Sequence, residues 1–195
     1  VQVTATSELG KQQQTFVRVV PAVPAEKVEI TAQNANKTDS NINSYTAYKG
    51  DTFTLSAVGS DLAGNETNDV FVWMVSVGNG QSMSLDNAKT YFDYTMNPTN
   101  TSCTITTKNA ALFNFYCYAV KRGQSPTSTT IFGSASIYVY EKATKLSFIN
   151  PSTGGAISST TMATGGTYDI GITMSPVSAY DEDSVTFSSE NEAIA

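Results

Sequence analysis

The sequence has 195 residues, a formal net charge of −6 and a pI near 4.5, and it contains no histidine. The negative charge and the lack of a Lys/Arg cluster argue against nucleic-acid binding and against a polybasic membrane anchor. Without histidine the chain lacks the most common general base and metal ligand, so we expect no enzymatic activity and no cofactor. No stretch is long and apolar enough to cross a membrane, so we expect no direct membrane insertion.

Residues 1–22 carry the pattern of two strands. Apolar and polar residues alternate over Val1–Ser7 and again over Thr15–Val20, with a turn around Gly10. Because an isolated hairpin is only marginally stable in water, we interpret residues 1–22 as the closing hairpin of a preceding domain. Two prolines within residues 21–25 then predict a short, stiff connector.

Residues 23–141 are predicted to form a complete domain around Trp73, the only tryptophan, which lies in a run of β-branched and aromatic residues. Seven strands are predicted, at Val28–Thr31, Lys49–Ala57, Asp69–Val77, Thr90–Thr95, Ser102–Thr106, Phe113–Val120 and Ala135–Tyr140. Their number and spacing predict an all-β fold, specifically a β-sandwich. Alternation along the strands places five residues in the core: Phe53, Leu55, Trp73, Phe115 and Cys117.

Residues 142–195 repeat part of this pattern. Strands are predicted at Lys145–Ile149, Gly166–Ile172 and Ser184–Ser189. Thr52–Leu55 matches Thr167–Ile170 in order and character, as expected for tandem modules with loops of different length. We therefore interpret residues 142–195 as the first part of a further domain.

Several of these segments resemble strands of immunoglobulin-like modules. Gly50–Ala57 resembles their second strand, Trp73 the core tryptophan of the third strand, and Cys117 the cysteine of the sixth strand. Ser184–Ala195 and the hairpin around Gly10 are similar to bacterial immunoglobulin-like repeats of the invasin/intimin kind. The resemblance implies tandem immunoglobulin-like β-sandwiches, with the closing hairpin of one domain in 1–22, a complete domain in 23–141 and the N-terminal part of another in 142–195. It also implies that the usual inter-sheet disulfide is absent, because Ala57 stands where the partner cysteine would lie.

The same resemblance implies a non-enzymatic structural and adhesion module of a larger bacterial cell-surface or pilus-like protein. A phage virion protein, such as a fibre, neck, tail or capsid decoration, is an alternative, and an accessory carbohydrate-binding module is a third. The expected partners are neighbouring immunoglobulin-like domains or subunits of the same assembly, with host surface glycans or proteins as further candidates. The expected location is extracellular, on the bacterial surface, or in a virion.

Two groups of residues could carry other chemistry. Cys103 and Cys117 are predicted to point inward from strands in opposite sheets, and either buried free thiols or a disulfide fits the sequence. Acidic loops could contribute oxygen ligands to Ca²⁺, although their spacing matches no calcium-binding loop and solvated acidic turns are the alternative. The acidic candidates are Asp61, Glu66, Asp69, Asp181 and Asp183.

One outer sheet face is the strongest candidate for binding. If Trp73, Phe115 and Val139 point inward, alternation puts six large side chains outward on three neighbouring strands. They are Val72, Met74, Tyr116, Tyr118, Tyr138 and Tyr140. Cross-strand aromatic pairing alone, packing against another subunit or module, and stacking on sugar rings are all compatible with such a face.

Overall fold

The structure is a computed structural model that describes residues 2–16, 24–38, 42–176, 179 and 186–190. Within these residues the fold is all-β, with fourteen strands, one short 3-10 turn at Leu85–Ala88 and no α-helix. The strands are β1 Gln2–Thr6, β2 Gln12–Phe16, β3 Lys27–Gln33, β4 Asn36–Lys37, β5 Ser44–Tyr48, β6 Thr52–Ser60, β7 Val70–Val77, β8 Met83–Ser84, β9 Phe92–Met96, β10 Ser102–Thr107, β11 Ala111–Val120, β12 Phe132–Tyr140, β13 Lys145–Ile149 and β14 Gly171–Ser175.

Two sheets built from β3 to β12 form the main body. The first has four strands in the order β3-β6-β10-β9, and the second has six in the order β4-β5-β12-β11-β7-β8. Neighbouring strands are antiparallel except β5 and β12, which run parallel. Two further pairs are separate two-stranded sheets, β1 with β2 and β13 with β14.

The core lies between the two large sheets because each contributes one apolar face. In β6 and β11 buried residues alternate with more exposed ones, as expected when one face of a sheet is covered. Rings from opposite sheets meet edge-on, with 6.3 Å between the centroids of Phe53 and Phe115 and 5.6 Å between those of Phe92 and Phe113. Truncation of a fully buried aromatic residue typically costs about 3–5 kcal/mol, so this ring cluster contributes strongly to the stability of the core.

The residues predicted for the core are all buried. Phe53, Leu55, Phe115 and Cys117 have no exposed surface, and Trp73 is 5% exposed. The Trp73 indole Nε1 donates a hydrogen bond of 2.8 Å to the backbone carbonyl of Asn100. That carbonyl belongs to the turn between β9 and β10, so Trp73 connects the six-stranded sheet to a loop of the other sheet.

All seven strands predicted in residues 23–141 are present, but the prediction of only seven was wrong. The structure adds β4, β5 and β8, of which β5 matters most because it pairs in parallel with β12. Ser44, Tyr45, Thr46 and Ala47 are all buried, so β5 lacks the one-sided alternation that reveals a half-buried strand. The strand predicted at Lys49–Ala57 begins three residues later, at Thr52, since Lys49 and Gly50 form a turn with Gly50 at φ 93°.

Outside the main body, the observed strand bounds also differ from the predicted ones. β2 begins at Gln12 rather than Thr15, and Gln2 pairs with Phe16. The strand predicted at Gly166–Ile172 lies at Gly171–Ser175 instead, because this register sets Ile172 opposite Phe148 and Met174 opposite Leu146. Residues 186–189 of the strand predicted at Ser184–Ser189 are not in a strand, and the first two residues lie outside the described part.

Candidate functional site

The outer face of the six-stranded sheet brings four of the six predicted residues together. Tyr118 pairs with Val72 on β7 and with Phe132 on β12, while Tyr116 in the next row pairs with Met74. The Phe132 ring lies 5.2 Å from the Tyr118 ring and 6.0 Å from the Tyr116 ring, centroid to centroid. We define these five residues as the aromatic patch.

Phe132 is the member of the aromatic patch that the sequence prediction missed. Strand β12 was expected to begin at Ala135, but it begins three residues earlier, and Phe132 is 49% exposed. The signal was Gly133: a Cβ there would collide with the backbone carbonyl of Val28, so only glycine lets β12 pass so close to β3.

A polar row separates the aromatic patch from the two other predicted tyrosines. Asn114 lies between Ser76 and Ser136 in the sheet register. The Ser136 hydroxyl donates to Asn114 Oδ1 at 2.7 Å, and Asn114 Nδ2 donates to Ser76 Oγ at 3.4 Å. The single apolar surface predicted from alternation is therefore divided into two clusters on the same face.

The second cluster contains Tyr138 and Tyr140, whose rings stack with 6.4 Å between centroids and 14° between planes. Tyr140 is paired with Tyr48 on β5, and the Lys142 ammonium lies 4.9 Å from the centroid of the Tyr48 ring. This cation–π contact and the Lys49–Glu141 ion pair of 2.9 Å give the second cluster a charged border.

The acidic residues considered for Ca²⁺ do not converge in the part of the chain that is described. Asp61 closes its own loop: Oδ1 accepts backbone hydrogen bonds from Ala63 and Asn65, and the Asn65 side-chain amide reaches both carboxylate oxygens. These hydrogen bonds, that of the Asn65 side chain first, lower the pKa of Asp61. Asp69 accepts a hydrogen bond of 2.5 Å from the Thr67 hydroxyl, and Glu66 is exposed. Asp181 and Asp183 lie outside the described residues.

No group of three or more His, Cys, Asp or Glu residues with metal-binding geometry occurs among the described residues. Asp61 is therefore part of a loop-closing turn in which its oxygens already have hydrogen-bond partners.

Cys103 and Cys117 are free thiols with no exposed surface, one in each large sheet. Burial raises the pKa of Cys103 to about 12 from an ordinary value of 9.0. Burial, and secondarily the nearby Cys103 thiol, also raises the pKa of Cys117. Since the thiolate is the reactive form, both side chains act here as small apolar groups of the core.

No protein-family model matches the sequence, and no curated protein matches it. Among the described residues no helix is long and apolar enough to cross a membrane.

Proposed function

We propose that residues 23–141 form an immunoglobulin-like β-sandwich that serves as a non-enzymatic structural and adhesion module in a surface-displayed protein. The strand orders support this proposal. β3-β6-β10-β9 corresponds to the A-B-E-D sheet of immunoglobulin-like domains, and β12-β11-β7 corresponds to the G-F-C sheet. The buried Trp73 on β7, opposite Cys117 on β11, corresponds to the tryptophan and cysteine of strands C and F.

The parts of the chain outside this sandwich are proposed to belong to neighbouring modules of the same kind. β1 with β2 and β13 with β14 are two-stranded sheets, and two strands alone are marginally stable in water. Leu146 and Phe148 on β13 are 50% and 52% exposed, unlike the alternating core residues of β6 and β11. Such a row of modules suits a bacterial surface protein or a phage virion protein equally well.

The observation that carries the structural role is the aromatic patch. Its members are an exposed Phe132 and four half-buried residues, and none of the five side chains is charged. Tyrosine, phenylalanine and methionine are enriched in protein interfaces, where they bury apolar area and have few polar atoms that need a hydrogen-bond partner. A chain with a net charge of −6 repels its own copies, so two copies associate best through a surface without carboxylates. We therefore assign the aromatic patch to packing against another copy of this module.

Sedimentation equilibrium of the 195-residue chain over a range of concentrations tests this assignment. The wild-type protein is expected to associate reversibly, and a Tyr116→Ser, Tyr118→Ser, Phe132→Ser variant is expected to remain monomeric. Tyr138→Ser with Tyr140→Ser is the matched control, because it removes aromatic residues from the same sheet face beyond the polar row. A wild-type protein that is monomeric at all concentrations, or a triple variant that associates like wild type, would refute the assignment.

A further inference from the structure

A cleft of about 620 Å³ opens at the end of the sandwich where β7 begins and β11 ends. Its size falls within the range of sites for small ligands. Val70 and Val120 are paired across β7 and β11 and form part of its lining, with Pro24 and Pro98 as further apolar lining residues. The cleft is thus formed by the ends of strands and by loops that are far apart in the sequence.

Two adjacent cations, Lys121 and Arg122, line this cleft. They belong to a turn closed by a hydrogen bond of 3.0 Å from the Gln124 amide to the Lys121 carbonyl, in which Gly123 has the positive φ of 82° typical of a type II turn. Neither side chain forms a hydrogen bond or an ion pair within the described part of the chain, whereas Lys27, Lys49, Lys89 and Lys108 each pair with a carboxylate. Asp69 is the acidic residue among the lining residues, and the Thr67 hydroxyl already donates to it. The lining is therefore net positive on a chain that is strongly acidic.

The opposite side of the cleft is fixed by the core. Thr99 and Asn100 lie in a turn closed by a hydrogen bond of 3.0 Å from the Asn100 amide to the Asn97 carbonyl. The Asn100 carbonyl also accepts the Trp73 indole hydrogen bond of 2.8 Å, and the Asn97 side chain donates to the Thr99 hydroxyl at 2.9 Å. Because these hydrogen bonds order this side of the cleft before a ligand arrives, binding costs less conformational entropy.

We propose that this cleft binds a short acidic saccharide, with Lys121 and Arg122 holding the sugar carboxylate. A guanidinium matches a carboxylate with two parallel hydrogen bonds, and a neighbouring ammonium adds a further charge. The Asn68 side chain, which is exposed and has no partner among the described residues, can both donate to and accept from sugar hydroxyls. The Thr99 hydroxyl, already hydrogen-bonded to Asn97 and Thr101, keeps one further hydrogen-bonding site. An extended peptide is less well served, because β7 and β11 are paired with each other here and offer it no free strand edge.

The cleft is distinct from the aromatic patch, although both use β7 and β11. The Val70–Val120 pair contributes to the cleft lining, and the next outward pair along these strands, Val72 with Tyr118, belongs to the patch. Since the two sites use different residues, saccharide binding and association of copies can be measured in separate assays.

Isothermal titration of the 195-residue chain with trigalacturonate tests the proposal, with maltotriose as the neutral trisaccharide and hexaglutamate as the acidic peptide. The wild-type protein is expected to bind trigalacturonate in preference to both. A Lys121→Gln, Arg122→Gln variant is expected to lose at least about tenfold in affinity, because it loses charge-assisted hydrogen bonds. The matched control is Lys11→Gln with Lys145→Gln, which removes the same charge from two exposed lysines that do not line the cleft.

Four results would overturn the proposal: no heat of binding with trigalacturonate, equal affinity for maltotriose, equal or tighter binding of hexaglutamate, and equal loss of affinity in both double variants. The last result would mean that only the net charge of the chain matters. Unchanged circular dichroism and Trp73 emission in both variants would show that the fold is intact. A triple patch variant that becomes monomeric but still binds trigalacturonate would confirm that the two sites act independently.

Discussion

Replacement of Trp73 probes the residue that ties the six-stranded sheet to the turn between β9 and β10. Trp73→Ala removes a side chain that is 5% exposed, and such truncations cost about 3–5 kcal/mol in free energy of unfolding. Small domains are stable by only about 5–15 kcal/mol, so the loss is a large share of the total. Trp73→Phe keeps most of the apolar volume but removes the hydrogen bond to Asn100, which is worth about 0.5–1.5 kcal/mol. The expected order of stability is therefore wild type, then Trp73→Phe, then Trp73→Ala.

Urea denaturation followed by circular dichroism measures these differences without relying on the indole. With a slope of about 2 kcal/mol per molar urea, Trp73→Ala should lower the midpoint by about 2 M. The control is Leu62→Ala, because Leu62 is 90% exposed and surface changes of this kind stay within about 0.5 kcal/mol. A Trp73→Ala midpoint as close to wild type as that of Leu62→Ala would show that Trp73 does not anchor the core.

Two further predictions concern the packing of the sandwich. Gly133→Ala should lower the free energy of unfolding by about 1–3 kcal/mol, since the added Cβ collides with the Val28 carbonyl, while Ser134→Ala on the outer face should leave the urea midpoint unchanged. Cys103 and Cys117 should resist a thiol reagent in the folded protein and react fully in urea. Folding raises the pKa values of both thiols, so both favour the folded state while they stay protonated. Their contribution to the free energy of unfolding is therefore fully present below pH 9.0 and falls above it, by at most about 1.4 kcal/mol per pH unit for each thiol. Urea midpoints measured from pH 7 to pH 11 should fall less steeply in a Cys103→Ala, Cys117→Ala variant, and an equal fall would contradict this.

The sequence predicted the strands whose two faces differ in environment. Alternation in β6 identified Phe53 and Leu55 as core residues because their neighbours Thr52 and Thr54 are more exposed. The same rule failed for β5, whose first four residues are all buried. A strand that is covered on both faces does not alternate between apolar and polar residues, so its sequence does not reveal it.

The candidate site was predictable only where it lies on regular strands. Tyr116 and Tyr118 were assigned to one face from their spacing, but the polar row around Asn114, which divides that face, depends on the register between three strands. The cleft was not predictable, because it unites Pro24, Pro98 and Arg122 from separate loops. Only the strand order brings those loops to the same end of the sandwich.

The two proposed sites lie at positions that the packing of the core does not constrain. Inward residues of β7 and β11, such as Trp73 and Phe115, are fixed by the packing of the two sheets and cannot vary without loss of stability. Outward residues of the same strands, and residues of the turns at their ends, are not constrained in this way. The fold therefore does not require large tyrosines at these positions, or cations that have no ion pair among the described residues. Both sites also sit on strands held from both sides, since β11 lies between β7 and β12. A rigid sheet of this kind keeps binding side chains in place before a partner arrives, which is why we assign function to the outward face and the end of these strands.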